Sequence, residues 1–277
     1  MKQLFSLQKI SVSIVFVILS LNSFGGDPYR SAAGARQAGM AYVCVMNCDL
    51  WSSFHNQAGL AFNNSLSLGF NYESRFSIKE LGTRTAAIII PAGRASIGAV
   101  YSHFGYSDFR RQMVGVACGL PLSGKIAAGV QIDYFSERST GEYSNNQLLT
   151  FEAGILVSPS ENVRVGIHLF NPIPNSIRKI EMPSCLQVGA GVNLSKELFA
   201  GIEADMTTGQ KLVIRTGFEY EAAERFCLRG GFSTANSSFS FGLGCHAKPA
   251  LIDIAFSTHE KLGITSSISI IFNMKSH

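Results

Sequence analysis

The side chains best suited to chemistry are three histidines: His103 beside Ser102, His259 beside Thr258, and His168 on the polar side of an alternating segment. A hydroxyl next to an imidazole is the minimum from which hydrolysis or acyl transfer is built, with the histidine as base and the hydroxyl as nucleophile. Neither pair carries a nucleophile elbow or a third group to orient the base, and no H-E-x-x-H, Walker loop or dinucleotide fingerprint occurs. A solitary histidine near a strand end is more often a polar girdle residue than a base. No catalytic, cofactor or metal residue is therefore assigned, and the chain is not read as an enzyme. Six cysteines, Cys44, Cys48, Cys118, Cys185, Cys227 and Cys245, lack the spacing of a disulfide framework. Cys44 and Cys48 are the only close pair, which leaves a local disulfide open, while a zinc site needs more ligands than their neighbourhood offers.

A second pattern is ionic. Glu203 and Asp205 share one parity against Leu198, Ala200, Ile202, Ala204 and Met206; Arg215 and Glu219 oppose Leu212, Ile214 and Phe218; Arg225 and Arg229 oppose Phe226, Leu228 and Phe232. Asp133 lies opposite Ile126, Val130, Ile132 and Tyr134 in the same way, and Glu152, Arg164 and Asp253 extend the set. Acid and base thus collect on one side of successive segments, where they can pair across neighbouring strands.

The elements that must position them are β-strands, because alternation with period two separates two faces. Strands are expected near 65–75, 84–91, 94–104, 109–120, 124–135, 147–158, 162–170, 184–194, 197–207, 211–220, 225–233, 238–247, 250–257 and 264–272, with twelve as the fallback number. Sharing 65–272 among fourteen leaves about 15 residues per strand and turn, which suits membrane-spanning strands of about 9–11 residues. The longest loops are expected at Ser136–Asn146 and Asn171–Pro183. Tyr72, Tyr101, Tyr134 and Tyr220, near strand ends, fit an aromatic girdle.

The solvent of the apolar face follows from the start of the chain. Lys2 and Lys9, an apolar stretch from Ile10 to Leu21, and small Ser23 and Gly25 form an export signal over 1–25, with a mature start near Gly26; an uncleaved anchor is the alternative. Beyond it no apolar run is long enough for a spanning helix, although 46% of residues are hydrophobic and only 15% charged. With 27 Gly and 20 Phe, the composition suits an all-β, transmembrane antiparallel β-barrel of about 14 strands over 65–277, in the outer membrane of a Gram-negative bacterium and in contact with its lipid. A secreted sandwich also alternates; the sparse lysines and spanning-length strands favour the barrel, whose lumen would hold the charges. A dispersed net charge of +4 argues against nucleic acid.

The segment 26–64 lacks strand alternation and reads as turns with one or two short helices, with Asp49 capping a turn toward Trp51, Phe54 and Leu60. Gly34-Ala35-Arg36-Gln37-Ala38-Gly39-Met40, then Asn47-Cys48-Asp49, then Asn56-Gln57-Ala58-Gly59-Leu60-Ala61 resemble the amino-terminal signature of FadL and PorV/PorQ-like outer-membrane proteins. Ala41, Cys48 and Gln57 depart from that pattern. The resemblance implies that 26–64 folds into the lumen as a plug, through Gly34, Arg36, Gly39, Asp49, Asn56 and Gly59; a periplasmic leader is the alternative. It also implies two functions. One is a PorV-like accessory in type IX secretion, with secretion-system proteins or exported cargo as partners. The other is a FadL-like transporter of hydrophobic small molecules. The short loops favour the first.

Overall fold

Alternating strands of membrane-spanning length behind an export signal predict a closed wall, and the computed structural model of the chain shows one. It describes residues 29–30, 33–140, 146–173, 176–177 and 180–274; the expected signal segment and its cleavage point lie outside the described residues. The strands are β1 (Leu66–Ser74), β2 (Gly82–Ala92), β3 (Ala95–Gly105), β4 (Phe109–Pro121), β5 (Ile126–Ser139), β6 (Asn146–Ser160), β7 (Val163–Phe170), β8 (Ser176–Ile177), β9 (Ile180–Glu181), β10 (Cys185–Asn193), β11 (Leu198–Thr207), β12 (Val213–Ala223), β13 (Phe226–Ser233), β14 (Ser238–Ala247), β15 (Ala250–His259) and β16 (Gly263–Met274). Fourteen of them, all but the small β8–β9 pair, form one antiparallel barrel that closes where β1 pairs with β16. Each of the fourteen expected strands is present, with ends moved by a few residues. The loop expected at 136–146 is shorter because β5 continues to Ser139, and the β8–β9 hairpin occupies part of the one at 171–183.

Closure explains the alternation. On β5, Ile126, Val130, Ile132 and Tyr134 are exposed on the outer wall, whereas Gln131 and Asp133 are buried inside. Val114, Val116, Phe151, Ile155, Ile202, Phe218, Phe241, Ile254 and Ile268 continue the outer band. Those side chains have no second sheet to cover them, as a sandwich would provide, so hydrocarbon is the medium that suits them. No helix among the described residues is long and apolar enough to cross a membrane. Connections such as Ala92–Ala95 and Ser160–Val163 are tight at the end where β1 begins and β16 stops, and longer at the other end. Short turns mark the periplasmic side and longer loops the cell surface.

Inside the wall lies the N-terminal segment. It folds as α1 (Ala35–Gly39), α2 (Ser52–His55) and a 3-10 helix, Gln57–Phe62. α1 packs against β13–β16 and the 3-10 helix against β3–β6. Neither helix could persist alone at this length, so their stability comes from what they dock on. Trp51, Phe54 and Leu60 enter a cluster with Ile89, Val100, Met113, Ala117 and Phe135 of the wall. All six cysteines are free, so Cys44 and Cys48 form no disulfide.

Candidate functional site

The site is the seam between plug and wall. Gly34 begins α1 with φ 91°, a left-handed conformation that costs glycine nothing. That turn lets Arg36 reach outward: its Nε and Nη2 meet the two carboxylate oxygens of Glu219 at 2.8 and 2.6 Å, and its Nη1 meets Asp49 Oδ2 at 2.7 Å. Burial works against the Arg36 charge, but Glu219 and Asp49 outweigh it and hold its pKa above the ordinary arginine value. Glu219 also accepts from Arg229 Nε at 2.5 Å, and Arg229 Nη1 continues to Asp253 at 2.7 Å. The result is a chain of alternating charge from plug to wall, with a fork-shaped arginine pair at its centre.

A second chain holds the next stretch. Glu203 Oε2 accepts the backbone N–H groups of Cys44 and Val45 at 2.8 and 3.0 Å, so a wall carboxylate supplies acceptors that an irregular segment cannot find in itself. Arg215 bridges Asp205 at 2.9 Å and Glu203 at 3.5 Å, and Arg30 reaches Asp205 at 2.5 Å. Cys44 is fully enclosed here, and burial pushes its thiol above the usual range, which leaves it inert.

On the far side the plug meets one ion pair through a ring, Arg111 of the Arg111–Glu137 pair lying 4.3 Å from the Tyr29 ring centroid, and its other polar contacts are single hydrogen bonds. Gln57 Nε2 donates to Glu152 Oε2 at 2.5 Å, His168 sits 2.9 Å from the same oxygen and 3.1 Å from Gln187, and Asp133 accepts from Gln131 at 2.8 Å. Asn56 donates to the carbonyls of Val45 and Ile155 while its Oδ1 accepts from Ala58 N–H, so it caps the 3-10 helix and ties it to β6. Asp49 Oδ1 accepts from Trp51 N–H, closing the expected turn. Gly39 lies so near Gly242 that a Cβ would stand 2.9 Å from its Cα, and a Cβ on Gly59 would meet Asn47 O at 2.4 Å.

Of the wall charges singled out in the sequence, Asp133, Glu203, Asp205, Arg215, Glu219 and Arg229 face the lumen. Arg225 does not: β12 ends at Ala223 and β13 begins at Phe226, so Arg225 lies exposed in the periplasmic turn, where strand parity no longer applies. The Ser102-His103 pair is split by the same parity, Ser102 buried inside and His103 on the outer face. Thr258 bonds Phe239 backbone, and His259 Nδ1 accepts the turn N–H groups of Lys261 and Leu262. No grouping of His, Cys, Asp and Glu among the described residues is arranged to hold a metal. Sequence reasoning missed Arg30, the Tyr42 hydroxyl that donates to Glu73, and His55, whose Nε2 lies 2.8 Å from Ala33 O. A usable signal was the row of glycines on the polar parity: a Cβ on Gly129 or Gly166 would strike the plug backbone near 2 Å.

At the cell-surface end a cavity of about 600 Å³ opens toward the loops. Its floor is Arg30, Ala41 and Tyr42 of the plug with Asp205 and Arg215, and its sides include Phe76, Leu212, Val213 and Ile214 with Ser233, Ser240, Ser257 and Thr265. Ala41 and Tyr42 both adopt left-handed φ, 55° and 62°, so the floor is a strained turn.

The sequence matches no protein-family model and no curated protein. Its fold matches solved structures. A Pseudomonas aeruginosa FadL homologue aligns over 88% of this chain and 99% of its own at 12% identity, with a TM-score of 0.66. The Ralstonia pickettii toluene transporter TbuX aligns over 90% and 100% at 12% identity (TM-score 0.68), and the P. putida toluene transporter TodX over 90% and 100% at 11% (TM-score 0.67). At such identity the likeness is one of fold: this chain is a closed, 14-stranded outer-membrane β-barrel with an N-terminal segment, built on the plan of FadL-like channels.

Proposed function

We propose that the protein is an outer-membrane channel for small hydrophobic molecules, with the N-terminal plug as its gate. The observation that carries this is the cavity: about 600 Å³, open at the cell-surface end, walled by apolar side chains and hydroxyls, and floored by the plug itself. That volume suits a small ligand. Passage then requires the strained Ala41-Tyr42 turn to move off the wall. The channel-like fold and the toluene transporters among its neighbours support this reading over the secretion role that the short loops favoured.

The test is uptake of a lipophilic aromatic probe by cells that make the protein. Ala38 and Ala255 pack together between plug and wall, so an Ala38→Cys/Ala255→Cys crosslink fixes the gate. Uptake should saturate, stop when the pair is oxidised and return with reductant; identical uptake by cells lacking the protein sinks the proposal. The secretion reading keeps one favourable observation, a plug seated on both sides of the lumen. It requires loss of surface-displayed proteins on deletion, with uptake unchanged.

A further inference from the structure

Register aligns the outer wall of β1–β6 in rows. One row reads Phe70, Ala86, Tyr101, Val114, Tyr134 and Leu149. The next row toward the cell surface reads Tyr72, Arg84, His103, Gln112 and Ser136. Above it, Arg110 of β4 stands directly opposite Arg138 of β5. The wall therefore changes from apolar to polar and cationic over two rows, four residues along each strand, at the height where tyrosines mark a lipid headgroup region.

Three features make this sector more than a solvated rim. Lys79, Arg84, His103, Tyr106 and Arg110 surround a concavity of about 370 Å³. Among the described residues, Lys79, Arg84, Arg110 and Arg138 form no ion pair, and His103 Nδ1 is buried without a hydrogen-bond partner. Like charges directly opposed across two strands destabilise a sheet unless an anion lies between them. Two acids are near: Glu80 lines the concavity but forms no ion pair among the described residues, and Asp108 accepts from the Ser107 hydroxyl. On β11–β16 the same end of the wall is apolar, with Met206, Phe239 and Ile264 exposed. On the wall itself at this end the cations lie on β2–β5, with Lys79 just before β2, whereas Lys211 and Lys261 of the other half lie in the connections between strands.

We propose that this sector binds the phosphorylated headgroup of an outer-leaflet lipid, with its acyl chains lying on the apolar rows beneath. A free anion would satisfy the cations alone, whereas a phospholipid-like or phosphorylated glycolipid ligand covers cations and apolar rows together. Arg84 and Arg110 present planar forks suited to phosphate oxygens, and the site is distinct from the lumen and independent of what the barrel transports.

Native mass spectrometry of the detergent-purified protein tests this, with diphosphoryl lipid A as probe. The wild type should retain it, should not retain the dephosphorylated lipid, and should not release it to inorganic phosphate. Arg84→Gln/Arg110→Gln should weaken retention about thirtyfold, while Arg225→Gln at the opposite end leaves it unchanged. Heat-modifiable migration on a gel reports that each variant is folded. Equal retention of the phosphorylated and dephosphorylated lipids, displacement by phosphate, or full retention by the folded double variant overturns the proposal. Should the double variant fail to fold, the two lipids compared on the wild type still decide.

Discussion

The two sides of the lumen grip the same plug by different physics. Toward β11–β15 ionic contacts, Arg36 with Glu219 and Glu203 with the N–H groups of Cys44 and Val45, stand beside small apolar clusters at Phe199 and Ala255. Toward β2–β6 the contacts are mainly apolar, with Trp51 and Leu60 fully buried against Ile89, Val100 and Met113 and only hydrogen bonds from the neutral amides of Asn56 and Gln57 reaching β6. Ionic contacts hold geometry sharply but lose everything when one partner leaves, because the other is then buried without compensation. Apolar contacts lose free energy in proportion to the area exposed and set no sharp direction. A gate that swings should therefore detach from the ionic side and pivot on the apolar one. The cavity lies on the ionic side, above Asp205 and Arg215.

The comparison breaks most sharply at Glu219. Glu219→Ala takes from both Arg36 and Arg229 the carboxylate they share, leaving Arg36 with Asp49 and Arg229 with Asp253, and should cost about 3–4 kcal/mol of plug docking. Hydrogen exchange across 33–62 should accelerate while the wall keeps its heat-modifiable migration; unchanged exchange would show that the ionic side does not hold the plug. Leu60→Ala, on the other side, should cost about 3 kcal/mol through lost contacts and a cavity, read by the same exchange. If the two sides act separately, the double variant adds the two effects to within about 0.5 kcal/mol.

How much of this was visible in the chain depends on whether an interaction leaves a periodic trace. Strand parity found Glu203, Asp205, Arg215, Glu219 and Arg229 because each sits mid-strand, where period two is rigid. It failed at Arg225, which has left the strand for a turn. The plug has no period, so its motif residues were located by resemblance and their partners were not: nothing in the sequence joins Arg36 to a carboxylate 183 positions away. The small β8–β9 hairpin was missed because two-residue strands carry no alternation to read. The choice between transport and secretion rested on loop length, and loop length says nothing about a cavity formed between wall and plug.

The smallest expected effect sharpens the comparison by titration. His55 joins the two sides: it ends α2, its ring lies 6.2 Å from that of Tyr42, and its Nε2–H donates to Ala33 O. Burial lowers its pKa from 6.5 to about 4, against the opposing pull of the Ala33 carbonyl and Asp49, with Arg30 and His168 adding to the decrease. The docked plug therefore holds a neutral imidazole, while a released plug titrates near 6.5. Between those values the released form binds more protons, so docking is fully present above pH 6.5 and weakens as pH falls toward 4, by about 2 kcal/mol at pH 5. Exchange across 33–62 followed from pH 7 to 4.5, corrected for its intrinsic pH dependence, should show that loss. His55→Gln, which keeps an amide N–H for Ala33 O and cannot titrate, should flatten it; a profile identical in both proteins would assign the pH response to the wall carboxylates instead, and with it the weak point of the plug to the ionic side alone.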